Sequence, residues 1–182
     1  MKNGKLASAL DMKKLKNLEL KATSDKKTGN YIFEDGSSVE VYTELIDRED
    51  KNNAIRPLFK ENTAKAATIP MTLSTTYVAK NWFGMVLWKY TLWVNYEVNG
   101  YKVVDFDLPF GKPYTTPLIS LWTLESEAFN AGYRSDGKTV RATANIKMRY
   151  GLWEFTTIQR VSLYCVVDIY ANGTFNVSWR EL

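Results

Sequence analysis

Thr139-Val140-Arg141-Ala142-Thr143-Ala144-Asn145-Ile146-Lys147-Met148-Arg149-Tyr150 alternates without a break. Successive side chains of an extended chain point to opposite faces, so Val140, Ala142, Ala144, Ile146, Met148 and Tyr150 share one side. Thr139, Arg141, Thr143, Asn145, Lys147 and Arg149 share the other. A helix would scatter both sets around its axis, so the stretch reads as a strand with one face buried and one wet. Val161, Leu163, Cys165, Val167, Ile169 and Ala171 repeat the pattern, as do Val86, Trp88, Tyr90, Leu92, Val94, Tyr96 and Val98. Three long half-buried strands make the chain mainly β, an antiparallel β-sandwich or open barrel over residues 67–182.

Two Asn-Gly dipeptides fix the expected register. If Asn172-Gly173 were a two-residue loop, Phe175 and Val177 would oppose Tyr170 and Asp168 on the polar face. A three-residue loop, Ala171-Asn172-Gly173 with Gly173 left-handed, instead pairs Ile169 with Phe175, Val167 with Val177 and Cys165 with Trp179. The same reasoning at Val98-Asn99-Gly100 pairs Val94 with Val104 and Leu92 with Phe106. It sets Asp105 beside Trp93 and Asp107 beside Thr91 on the outward face.

Ahead of this domain the signals weaken. Residues 1–28 form a basic segment in which Leu6, Leu10, Leu15, Leu18 and Leu20 fit a helical stripe poorly, so it is expected to be helical or disordered. In residues 29–66, Tyr31-Ile32-Phe33, Asp35-Gly36 and Val39-Glu40-Val41-Tyr42 read as a small hairpin. A polar connector follows over 47–63, broken by Pro57, with a helical turn at Leu58-Phe59-Lys60.

Composition excludes several chemistries. The 182 residues hold no histidine, which removes the Ser-His-Asp triad, the Cys-His pair, histidine-ligated zinc and an imidazole base. Cys165 is the single cysteine, so no intramolecular disulfide or thiolate zinc cluster forms, and its place on an inward face makes it a small core hydrophobe. No cofactor is expected. No apolar run approaches the roughly 20 residues of a membrane-spanning helix. Residues 1–27 hold eight lysines against Asp11, Glu19 and Asp25, a net +5, which leaves −1 for the rest of a +4 chain. The positive charge thus belongs to the tail, and nucleic acid is not expected as a partner.

The outward positions supply the candidate site. Trp93 flanked by Asn95, Asp105 and Asp107, with Tyr170 extending the surface from the penultimate strand, suits a ligand platform. An aromatic face stacks on a sugar ring while nearby acids and amides hydrogen-bond its hydroxyls, so a glycan or a protein or peptide partner is expected. Asp105 and Asp107, with Glu97 near, also offer two carboxylates for a cation or for an acid/base pair, but no third ligand is specified by spacing. Asn172-Gly173-Thr174 and Asn176-Val177-Ser178 match the short N-glycosylation acceptor pattern.

The hairpin at Tyr96 to Val103, the strand from Ala142 to Tyr150 and the ending Ile169-Tyr170-Ala171-Asn172-Gly173-Thr174-Phe175-Asn176-Val177-Ser178 resemble small uncharacterised secreted β-rich proteins of Gram-positive bacteria. The resemblance covers little more than half the chain and transfers no functional residue. It implies an extracellular or cell-surface location, although the N-terminus lacks the apolar stretch of a signal peptide, and a cytoplasmic location is the alternative. The expected function is a non-catalytic binding or surface-interaction β domain. The alternatives are a carboxylate-dependent hydrolase acting on a glycan and a structural assembly subunit.

Overall fold

The computed structural model describes residues 18–47, 68–115, 121–152 and 156–182. Among them the strands are β1 (Glu19–Thr23), β2 (Thr28–Ile32), β3 (Ser38–Asp47), β4 (Ile69–Lys80), β5 (Val86–Val98), β6 (Val103–Phe106), β7 (Phe110–Thr115), β8 (Trp122–Tyr133), β9 (Val140–Leu152), β10 (Thr156–Ile169) and β11 (Phe175–Glu181). One sheet runs β1-β11-β10-β9-β8 and the other β2-β3-β4-β5-β6, with β7 also paired to β5. Every pairing is antiparallel. The inward residues of both sheets merge into one apolar core, so the fold is the expected mainly β sandwich.

The turn at Asn172-Gly173 takes the expected form. Ile169 pairs with Phe175, Val167 with Val177 and Cys165 with Trp179. Gly173 has φ +81°, and its N–H donates to the Tyr170 carbonyl at 2.9 Å. A side chain there would be strained, which is why glycine occupies it.

The hairpin at Asn99-Gly100 differs. The Asn99 N–H donates to the Lys102 carbonyl at 3.2 Å, which closes the turn around Gly100-Tyr101, and the Asn99 carboxamide oxygen accepts from both the Tyr101 and Lys102 amides at 3.0 Å. Val98 therefore opposes Val103, and Val104 is left as a bulge, so that Glu97 opposes Asp105 and Tyr96 opposes Phe106. The expected pairs Val94 with Val104 and Leu92 with Phe106 do not form. The edge strand breaks at Asp107-Leu108-Pro109 and resumes as β7, which sets Phe110 opposite Trp93.

The early residues also enter the sandwich. Glu19 and Leu20, expected in a helical or disordered segment, lie in β1, where Leu20 and Ala22 are buried and Glu19 and Lys21 face out. β1 pairs with β11, placing Leu20 opposite Trp179. The hairpin of β2 and β3 has the expected turn, closed by the Gly36 N–H on the Phe33 carbonyl. It is no satellite, since β3 pairs along its length with β4. The expected connector after Asp47 and its turn at Leu58-Phe59-Lys60 lie outside the described residues, as does the segment before Leu18.

Aromatic rings fill the space between the sheets. Tyr77 stacks on Trp88 with centroids 5.4 Å apart, Trp88 meets Trp122 at 5.8 Å, and Trp122 meets Tyr150 at 5.5 Å. Trp179 Nε1 donates across the core to Thr75 Oγ1 at 2.9 Å, and the Thr43 hydroxyl donates to the same oxygen at 3.1 Å. Cys165 is fully buried, and that burial pushes its thiol well above the ordinary value, which suits a core side chain rather than a nucleophile.

At the opposite side of the sandwich from β1, the Tyr90 ring passes over Gly111 and its hydroxyl donates to Glu127 Oε2 on β8. Burial first, and then the carboxylate, raise the phenol far above its ordinary range, so Tyr90 remains a donor. A Cβ at Gly111 would overlap the Tyr90 hydroxyl and ring carbons. Gly111→Ala is therefore expected to destabilise the protein by about 1–3 kcal/mol, the usual range for overpacking, measured by urea denaturation. An unchanged midpoint would mean that the ring does not occupy that space.

Candidate functional site

The outer face of the β2–β7 sheet gathers its side chains by register. Thr72, Ser74 and Thr76 of β4 stand between β3, which presents Tyr42, Glu44 and Ile46, and β5, which presents Thr91, Trp93 and Asn95. The short β4 residues are overtopped by these neighbours, and Ser74 and Thr76 are buried even though they face outward. The result is a row of small polar groups between two higher walls.

Trp93 anchors one wall. It stacks nearly parallel on Phe110, with centroids 5.4 Å apart and an interplanar angle of 15°. Trp93 is half-buried, and Phe110 is 48% exposed. Tyr114 continues the wall along β7 at 49% exposure, with Lys89 Nζ 5.0 Å from its ring centre.

Beside the stack runs an ordered polar chain. The Thr72 hydroxyl donates to Asn95 Oδ1 at 2.9 Å, and Asn95 Nδ2 donates to Asp107 Oδ2 at 3.0 Å. The carboxamide is thus held with its oxygen toward β4 and its nitrogen toward the edge. Thr76 and Thr91 share a further hydroxyl bond at 2.8 Å. Across the face, Thr28, Gly29, Asn30, Glu40, Val41 and Tyr42 line a depression of about 340 Å³. Glu40 there binds Lys80 at 2.7 Å.

The five residues expected to form one site divide into three places. Trp93, Asn95 and Asp107 lie together on this face, but Asp107 is a partner of Asn95 and not a neighbour of Thr91. Asp105 is displaced from Trp93 by the bulge at Val104; it opposes Glu97 and accepts the Phe106 amide at 2.9 Å. Tyr170 lies just past the end of β10, at the start of the turn to β11 in the other sheet. It lines a separate open depression of about 490 Å³ with Gly100, Asp136, Lys138, Thr139, Ala171, Asn172 and Thr174. Asn172 of the first acceptor motif is engaged there, its side-chain oxygen accepting the Thr174 amide and hydroxyl at 3.1 and 2.7 Å.

Phe110 and Thr72 are the contributors that sequence reading missed. Phe110, Lys112 and Tyr114 alternate outward, which is a strand signal, but Pro109 and Pro113 mask it. Among the described residues, no group of three or more Asp, Glu, Cys or His side chains is placed to hold a metal. No protein-family model, curated protein or solved structure matches the chain.

The depression at Tyr170 contains one strongly perturbed acid. Asp136 accepts the Thr139 hydroxyl at 2.6 Å and the Thr139 and Lys138 amides at 2.9 Å. These bonds, the Thr139 hydroxyl first, hold its carboxyl down to about 2 from an ordinary 3.8. A lowered folded value favours the fold above the unfolded value and loses that advantage as pH falls through the folded one. Asp136 is therefore expected to titrate near 2 by NMR. Asp136→Asn should flatten the loss of stability between about pH 4 and pH 2 relative to wild type. A normal carboxyl titration for Asp136 would contradict the turn geometry.

Proposed function

We propose that the protein is a non-catalytic binding module that takes a glycan on the outer face of the β2–β7 sheet. The observation that carries this reading is the exposed Trp93–Phe110 stack beside the Thr72–Asn95–Asp107 chain of hydrogen-bonding groups. Flat aromatic surface covers the C–H face of a pyranose, while a preset amide and carboxylate meet its hydroxyls. Ordering is already supplied by hydrogen bonds within the protein, so less freedom is lost on binding.

A peptide would use the same aromatic wall, but a row of hydroxyls and an oriented amide favours a ligand rich in hydroxyl groups. Hydrolysis has less support. Glu97 and Asp105 are cross-strand neighbours on one exposed edge, and Asp107 is engaged by Asn95, so no two of these acids face each other across a cleft. A binding module of this kind fits an extracellular or cell-surface setting.

The test is a glycan array with wild type, Trp93→Ala and Phe110→Ala, with affinities for any hit measured by titration calorimetry. Either substitution should weaken binding by about tenfold or more, the equivalent of roughly 1.4 kcal/mol. Quenching of Trp93 fluorescence by acrylamide should fall when the glycan is present. A hit whose affinity survives both substitutions would move the site elsewhere.

A further inference from the structure

An open sandwich leaves a strand at each side of each sheet, and most of the described ones here are short or interrupted. β1 and β2 have 5 residues each, and a Cβ at Gly29 of β2 would meet the Lys21 carbonyl at 2.8 Å, so β1 lies against that edge. The far side of the β2 sheet is broken at Asp107-Leu108-Pro109 between β6 and β7, and β7 holds Pro113. β8 differs. It runs for 12 residues with β9 as its one partner among the described residues.

The turn after β8 shows which of its backbone groups are free. The Arg134 N–H donates to the Thr139 carbonyl at 2.8 Å, so Arg134 turns its backbone groups toward β9, and Gly132, Asn130 and Ala128 do the same by alternation. Tyr133, Ala131, Phe129 and Glu127 therefore point theirs away from the sheet. Ser126, Glu127, Ala128 and Asn130 are exposed, so solvent reaches this edge. A bulge between Leu124 and Ser126 bounds the stretch at one end and the turn at Arg134 at the other. The charges nearest those ends are engaged within the molecule: Glu127 accepts the Tyr90 hydroxyl, and Arg134 binds Asp168 at 3.4 Å. Ala128-Phe129-Asn130-Ala131-Gly132-Tyr133 between them carries no charge, proline or bulge, the devices that keep sheet edges apart.

We propose that two copies of this chain join through β8, antiparallel and edge to edge. The free stretch from Ser126 to Arg134 is centred on Asn130, so full overlap sets Asn130 opposite its own counterpart in the second copy. Phe129 then lies opposite Ala131, Ala128 opposite Gly132, and Glu127 opposite Tyr133. In this register the outward-turned amides and carbonyls of Phe129 and Ala131 meet, a large side chain stands against a small one, and no charge faces its like. The stretch thus complements its own image, as a two-fold contact requires. An arbitrary extended peptide would need none of that matching, which favours a second copy as the occupant. The two-fold axis of such a pair stands perpendicular to the sheet, so both copies present the same face to the same side. The contact lies away from the glycan face and does not rest on that reading.

The experiment is analytical ultracentrifugation of the full chain between about 1 and 300 µM, the range suited to a contact as small as one strand pair. The mass should rise with concentration from one chain toward two. Asn130→Lys opposes two lysines at the axis and is expected to weaken the dimer by about tenfold or more, whereas Asn30→Lys, the same change on β2, should alter it by less than about twofold. Both asparagines are exposed, and melting curves establish that the variants fold. Ala131→Pro, which removes an N–H that β9 does not use, is a second disrupting variant. Oxidised Asn130→Cys should form a covalent dimer, because directly opposed residues with Cα atoms about 4.5 Å apart can be bridged, and Ala128→Cys should not. Cys165 is buried and takes no part in the crosslink. One chain mass at every concentration, or a dimer lost in Asn30→Lys and kept in Asn130→Lys, would overturn the proposal. Equal crosslinking through Ala128→Cys would overturn the register. A monomer whose Phe129 and Ala131 amides slow their hydrogen exchange only when a synthetic peptide of residues 127–133 is added would assign the edge to a peptide instead.

Discussion

One hydrogen bond crosses the core between the two sheets and is sensitive to how they are offset. Apolar contact between sheets is strong but nearly indifferent to small slides, whereas the buried indole N–H of Trp179 is stabilised only where it meets its acceptor. Its partner is the hydroxyl oxygen of Thr75, reached across the core from β11 to β4, and Thr43 on β3 donates to the same atom. Sliding the sheets apart by one residue pair would strand that donor, at about 1–3 kcal/mol. With the offset set, Tyr77, Trp88, Trp122 and Tyr150 pack in sequence, and both outer faces acquire their fixed composition.

How much of this is legible in sequence depends on whether local and distant signals agree. At Asn172-Gly173 they do: turn chemistry and apolar periodicity select one register, and that register forms. At Asn99-Gly100 they compete. The Asn99 side chain captures two amides and the turn shifts onto Gly100-Tyr101, a bulge at Val104 restores the inward alternation, and a proline then interrupts the edge. β1 is hidden for another reason. Its alternation of Leu18, Leu20 and Ala22 spans only five residues inside a lysine-rich run, and its partner β11 lies at the far end of the chain.

The candidate surfaces follow the same logic. That Trp93 points outward is readable from its strand alone, but Phe110 and Thr72 come to it from β7 and β4 through pairings that no local motif encodes. Tyr170 is read as outward from its strand, yet it lies just past the end of β10, which strand order places in the other sheet. The alternating Arg141, Lys147 and Arg149 are equally plain in β9. Only the pairing of β9 with β10 shows that Arg141 is held by Asp168 rather than left to solvent.

The pairing of β1 with β11 also determines how the protein responds to tension. Glu19 lies opposite Arg180, so the chain enters β1 and leaves β11 at the same end of that ladder. A pull transmitted through the flanking chain opens the pairs one after another from Glu19 toward Thr23 instead of shearing them together. Loss of β1 would uncover Leu20 and Ala22, the two side chains it buries in the core. The ladder between β1 and β11 is thus the seam that such a pull loads first.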